Sequence, residues 1–217
     1  MKNIVIILLF FCVSLLLACD DDGLRDGEWA PLIATNPGSQ ADLGIVTGGL
    51  YNGDMEIENG VESNLPSGWK DLVNAFNPPN NYDFEHTSAV AIGDFSTSIT
   101  GANIDSQNEF GFLRQIIENP DIVPGTFLRL RGKARTVNLS GNGFNIWVLG
   151  YDLDGNQIFG LETFAETRFV TGTRNWTEYV TNIDSVPLGV VQLQVFLSIG
   201  RSTTGTVYFD DIVLEVD

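Results

Sequence analysis

From about residue 86 onward, apolar and polar positions alternate in short runs separated by Gly, Asn, Asp and Pro. Period-two alternation sends successive side chains to opposite faces of a strand, so the pattern predicts β-structure. The runs fall at about 86–95, 109–117, 126–137, 144–151, 157–170, 176–183, 189–199 and 205–216. Short strands at regular spacing with turn residues between them predict an all-β sandwich with no second domain and no internal repeat. Three runs divide cleanly. Leu128, Leu130, Gly132 and Ala134 oppose Arg129, Arg131, Lys133 and Arg135. Phe144, Ile146 and Val148 oppose Asn145, Trp147, Leu149 and Tyr151. Val191, Leu193, Val195, Leu197 and Ile199 oppose Gln192, Gln194, Phe196 and Ser198. The apolar sets belong between two sheets, and the opposite sets on an outer sheet face. One stretch has helical spacing: Trp69, Leu72, Val73 and Phe76 fit one helix face, and it stands open between helix and strand or loop.

The last run changes parity in its middle. Val207 and Phe209 share one face, whereas Ile212, Leu214 and Val216 share the other, with Asp210 and Asp211 between them. Two acids in a strand buried on both faces would be costly without partners. A β-bulge at this point returns the second apolar set to the core and leaves the carboxylates available to a cation.

This run, Gly205-Thr-Val-Tyr-Phe-Asp-Asp-Ile-Val-Leu214, resembles the closing strand of galactose-binding-like jelly rolls, in particular carbohydrate-binding modules of families four, nine and twenty-two. Asn52-Gly-Asp-Met-Glu56 resembles the opening Asn-Gly-x-Phe-Glu of that group, with Met55 in place of Phe. Pro66-Ser-Gly-Trp69 matches the Pro-x-Gly-Trp that follows, and Trp176-Thr-Glu-Tyr179 resembles the Trp-x-x-Tyr strand before the end. The resemblance implies a jelly-roll β-sandwich over 49–217, with Trp69 and Trp176 in the core. It also implies glycans lying across a concave sheet face. A structural Ca²⁺ between the first-strand acid and the last-strand acids is implied as well, with Glu56, Asp210 and Asp211 at the matching positions and carbonyls near residues 86–88 to complete the shell.

The N-terminus reads differently. Lys2, an apolar run over 4–17 and Leu16-Leu-Ala-Cys19 form a secretory signal (1–18) ending in a lipobox, with Cys19 as the lipidated residue. The apolar run is shorter than the ~20 residues of a spanning helix. Residues 19–48, rich in Asp, Gly, Pro, Asn and Ser, read as an acidic tether. Asp20-Asp-Asp22 resembles the export signal of surface lipoproteins in the Bacteroidetes group, which implies an outer-membrane location facing the cell exterior. Of the 2 cysteines, one leaves with the signal and the other carries the lipid, so the domain holds together through its core alone. The formal charge of −17 argues against nucleic acid as a partner.

Candidate chemistry lies on the outer sets. Flat rings stack on the C–H side of a sugar, and planar amides and guanidinium groups pair with adjacent hydroxyls. Trp147, Tyr151, Gln192, Gln194, Phe196, Arg129, Arg131 and Lys133 are therefore the expected contacts to a polysaccharide or oligosaccharide. Four of the chain's 11 basic residues stand between 129 and 135 on one face. Free, that stripe would suit an anionic glycan; paired with acids on neighbouring strands, it would be a solvated surface. Asp152-Leu-Asp154-Gly-Asn156 lacks the third acid and distal Glu of a calcium loop and reads as a hairpin turn. With His86 as the only histidine and no free thiol after export, neither a Ser-His-Asp set nor a zinc cluster can be assembled. The expectation is a non-catalytic glycan-binding module that works beside other polysaccharide-uptake proteins. The alternatives are an adhesion or assembly subunit binding another protein and, third, a polysaccharide-degrading enzyme using a carboxylate pair or Tyr151 with a basic residue.

Overall fold

A computed structural model describes residues 44–60, 64–73, 82–102 and 111–217, all within one compact unit, Asn36–Asp217. Eleven strands are seen among them: β1 (Ile45–Thr47), β2 (Lys70–Val73), β3 (Tyr82–Thr87), β4 (Ser96–Gly101), β5 (Gly111–Glu118), β6 (Leu128–Ser140), β7 (Phe144–Tyr151), β8 (Gln157–Glu162), β9 (Gly172–Ile183), β10 (Gln192–Ile199) and β11 (Thr204–Val216). One helical turn, α1 (Phe164–Thr167), follows β8. The strands form two sheets. The first runs β1-β5-β10-β7-β8, with β2 also paired to β5; the second runs β3-β4-β11-β6-β9. All pairings are antiparallel except β1 on β5. The β-sandwich expected from the alternation, and the jelly roll implied by the resemblance, is the fold observed.

The core lies where the alternation put it. Leu113 and Ile117 of β5, Leu193, Val195 and Leu197 of β10, and Phe144, Ile146 and Val148 of β7 are sealed from solvent on the inner face of the first sheet. They meet Leu128, Leu130 and Ala134 of β6, Val207, Phe209 and Ile212 of β11, and Ile99 of β4. Each such aliphatic or aromatic side chain contributes about 1.5–3 kcal/mol on burial. Gly132 falls in this inner set because the sheets press together there. A Cβ at that position would stand 2.5 Å from Ile212 Cδ1 and 3.0 Å from Ile146 Cδ1.

The bulge in β11 is present. Asp210 pairs with Lys133 and Val213 with Arg131, so β11 fits one extra residue against β6. Asp211 takes a φ of 51°, a left-handed conformation that Asp tolerates better than most residues. Val207 and Phe209 before the bulge and Ile212 after it are all buried, and Leu214 packs partly against the same core.

Several boundaries differ from expectation. Lys70–Val73 is a strand on β5, so the helical spacing from Trp69 onward is fortuitous. The predicted strand over 86–95 is mostly a loop. Pairing passes instead from β3 to β4, whose small residues Ser96, Thr97 and Ser98 are buried between β3 and β11 and show no apolar alternation. The run predicted over 157–170 breaks after Glu162 into α1. Ile45–Thr47, part of the compositional tether, instead form a short parallel strand on Ile116–Glu118. Trp69 is core, as expected, but Trp176 is partly exposed on an outer face, edge-on to Tyr208 at 6.4 Å. Tyr179 takes the buried place of that motif and meets Phe144 edge-on at 5.2 Å.

Candidate functional site

The expected contacts divide between two surfaces. Trp147, Tyr151, Gln192, Gln194 and Phe196 lie on β7 and β10 of the first sheet, whereas Arg129, Arg131 and Lys133 lie on β6 of the second. The inner residues of both strand sets face one shared core, so these outer sets point away from each other. They cannot line one site.

On the first sheet the register sets the outer side chains in rows. One row is Lys70, Arg114, Phe196, Trp147 and Glu162 across β2, β5, β10, β7 and β8. The next is Ile116, Gln194, Leu149 and Gly160, and the third is Glu118, Gln192 and Tyr151. Trp147 lies flat on Phe196, ring centroids 4.3 Å apart and planes 20° from parallel. Phe112 closes on Phe196 edge-on at 5.8 Å. Phe196 is only 6% exposed, so it is a base for Trp147 and not a contact surface of its own. The Trp147 indole N–H is buried without a hydrogen-bond partner among the described residues, a donor left unsatisfied at a cost of about 1–3 kcal/mol.

The amides beside this stack are already oriented. Gln194 Nε2 donates to Gln192 Oε1 at 2.7 Å, and Gln192 Nε2 donates to Glu118 Oε1 at 2.9 Å. Burial pushes the Arg114 guanidinium down from its ordinary range, and Tyr151 partly offsets this. Burial pushes the Tyr151 phenol up, with Arg114 opposing. The phenol therefore stays protonated near neutral pH and is available as a hydrogen-bonding group.

Arg114 was not among the sequence candidates. Its strand reads Gly-Phe-Leu-Arg-Gln-Ile-Ile-Glu, in which a polar Gln115 shares a face with Leu113 and Ile117 and obscures the division. Gln115 is nonetheless fully buried. It accepts from the Tyr51 N–H at 2.8 Å and donates to the carbonyls of Tyr51 and Gly68, both at 2.9 Å. It thereby ties β5 to the two N-terminal motifs. Asn52 binds the same region through Ile57 and Ser67, and the Trp69 indole donates to the Asn52 carbonyl at 3.1 Å.

The basic stripe on the second sheet is neutralised. Arg131 meets Glu215 at 3.0 Å, Asp211 at 3.2 Å and Glu178 at 3.8 Å. Lys133 meets Asp211 at 3.0 Å, and Arg129 meets Glu215 at 3.8 Å. Arg135 lies over the Tyr208 ring at 5.2 Å. Of the two alternatives left by the sequence, the paired surface is the one found for residues 129–133.

The three acids matched to a calcium site also part company. Asp211 serves the stripe. Asp210 is fully buried, and its carboxylate accepts the N–H groups of Ala91 (2.8 Å), Ile92 (3.0 Å) and Asp211 (2.7 Å). Glu56 accepts the N–H groups of Asp94 (2.9 Å) and Phe95 (3.2 Å). Both carboxylates thus anchor one loop through N–H donors. The described residues bring no third His, Cys, Asp or Glu to them. Each carboxylate is thus occupied by N–H donors, and a Ca²⁺ ion here would have to draw its remaining oxygens from backbone carbonyls. The chain ends are still joined here, since Ile212 N donates to the Gly53 carbonyl at 2.8 Å. Cys19 lies outside the described residues.

No protein-family profile matches the sequence, and no curated protein matches it. Solved structures do. The enzymatically active domain of tailspike protein 4 from bacteriophage CBA120 superposes with a TM-score of 0.57 at 15% identity, over 78% of this chain. This chain spans about a fifth of that structure, 21%. A family 16 carbohydrate-binding module matches with a TM-score of 0.51 at 17% identity, over 76% of this chain and 97% of the module. A family 4 carbohydrate-binding module matches with a TM-score of 0.50 at 15% identity, over 77% and 99%. The fold of residues 44–217 is the β-sandwich jelly roll that these carbohydrate-binding modules share.

Proposed function

We propose that the protein binds a polysaccharide or oligosaccharide across the outer face of the β1-β5-β10-β7-β8 sheet, without catalysis. The observation that carries this is the Trp147 ring held flat on Phe196, beside the aligned amides of Gln192 and Gln194 and the phenol of Tyr151. A ring fixed in the plane of a sheet offers a stacking platform, and amides already in a hydrogen-bonded row lose little freedom on meeting hydroxyls. The match in fold to carbohydrate-binding modules supports the same reading. The lipobox at Cys19 and the acidic Asp20–Asp22 support anchorage to the outer membrane facing the exterior, where the module would hold glycans beside other uptake proteins.

Affinity electrophoresis of the purified chain through gels containing different polysaccharides tests the binding. Retardation by at least one glycan, lost in a folded Trp147→Ala variant, is the expected result. No retardation across a broad panel would discard the reading and favour a protein partner on this face. For the location, Cys19→Ala is expected to release the protein from membranes, and surface protease treatment of intact cells to degrade the unaltered form.

A further inference from the structure

We infer that the glycan taken by this face carries an anionic group, a carboxylate or a sulfate, and that Arg114 receives it. This rests on the polysaccharide-binding reading above. The starting observation is a contrast between two sets of cations in a chain of formal charge −17. On the second sheet, Arg129, Arg131 and Lys133 are each matched by carboxylates at 3.0–3.8 Å. On the first sheet, Arg114 has no ion pair among the described residues. Its direct neighbours across the strands are Phe196 on one side and Lys70, a second cation, on the other. Lys70 itself reaches Asp71 at 3.8 Å.

The acids of the same face are engaged elsewhere. Glu118 accepts from Gln192, and Glu162 accepts from Asn145 at 3.2 Å. Half-burying a guanidinium removes part of its hydration, which Tyr151 offsets only in part. Among the described residues, an acidic protein places no carboxylate against this position. An incoming oxyanion would supply the missing partner. A guanidinium fork matches the paired oxygens of a carboxylate or sulfate, and the flat Trp147 stack in the same row as Arg114 would hold the sugar ring that carries it. Acid recognition thus belongs to Arg114, and not to the neutralised β6 stripe.

Isothermal titration calorimetry of the full chain in detergent tests this. The probes are oligogalacturonate and its methyl ester, and a sulfated galactan oligosaccharide and its desulfated form. One charged probe is expected to bind roughly tenfold to a hundredfold more tightly than its neutral counterpart. Arg114→Gln should erase that difference, with Arg114→Lys in between and Arg131→Gln without effect. Melting curves establish that each variant is folded. Whichever charged probe is preferred separates carboxylate from sulfate. Equal binding within both pairs, or a preference that survives Arg114→Gln, overturns the inference and leaves polysaccharide binding standing. No binding of any probe, charged or neutral, overturns the inference and counts against the reading beneath it.

Discussion

Trp147 and Phe196 stand opposite each other on neighbouring antiparallel strands, and their rings lie 4.3 Å apart and nearly parallel. Phe196 sets the plane of Trp147, while Phe112 supports Phe196 from the side. The two positions should therefore respond differently to change. Trp147→Ala is expected to weaken glycan binding about tenfold or more with little loss of stability, because it removes a partly exposed ring. Phe196→Leu keeps an apolar but smaller support without the ring, should cost about 1–2 kcal/mol of stability, and should still weaken binding by letting Trp147 tilt. Calorimetry with a retained glycan and a melting curve for each variant check both.

The β6 stripe is expected to matter for stability and not for binding. Arg131 is the centre of its ion pairs, with a side chain 26% exposed. Exposed and half-exposed pairs contribute little, so Arg131→Ala should cost about 1 kcal/mol or less, and the loss should shrink in high salt. Urea denaturation at low and high ionic strength measures this.

Asp210 gives a pH signature. Burial raises its pKa above the ordinary value, the N–H groups of Ile92, Ala91 and Asp211 oppose that, and the Asp211 charge adds to it. A carboxyl with a raised folded pKa holds its proton more tightly in the folded than in the unfolded chain. Its ionisation therefore costs stability. The cost is absent below the unfolded value of about 3.9, grows as pH rises through the higher folded value, and then levels off. Asp210→Asn cannot ionise, so the stability of the variant relative to the unaltered chain should rise across that window. Denaturation of both proteins from pH 3.5 to 7 gives the difference, and a flat or falling one would refute it.

Glu56 should act as an anchor for the loop that also binds Asp210. Glu56→Gln keeps one acceptor oxygen but loses the charge and the second oxygen facing these solvent-exposed N–H groups, and should lower stability by about 1 kcal/mol or less. Because both carboxylates already face N–H donors, a chelator is expected to leave the melting temperature unchanged. A drop on adding chelator, reversed by Ca²⁺, would mean that the loop turns its carbonyls inward to make a cation site.

Much of the fold was legible because alternation reports burial directly: β6, β7, β10 and β11 as far as Leu214 carry their core residues where the period-two pattern put them, whereas Val216 at the end of β11 is exposed. β4 was not, because its Ser and Thr side chains are buried between neighbouring strands without an apolar signal. The site was half legible. The rings and amides on β7 and β10 were visible as outer sets, but which outer sets share a sheet depends on strand order, and strand order leaves no local mark. Local alternation alone therefore cannot separate the arginines of β6 from Trp147, and the buried Gln115 hides Arg114, two strands from Trp147, within its own strand.

The extra residue in β11 has a consequence for how this chain tolerates changes of length. Phe209 and Ile212 both point inward because two residues, not one, stand between them. Removing Asp211 alone would restore plain alternation with every inward residue still inward, at the loss of one carboxylate to Arg131 and Lys133. Removing Val207 or Val213 would instead put the residues beyond it out of step with β6. The strand thus contains one position where a codon can be lost without reversing its faces.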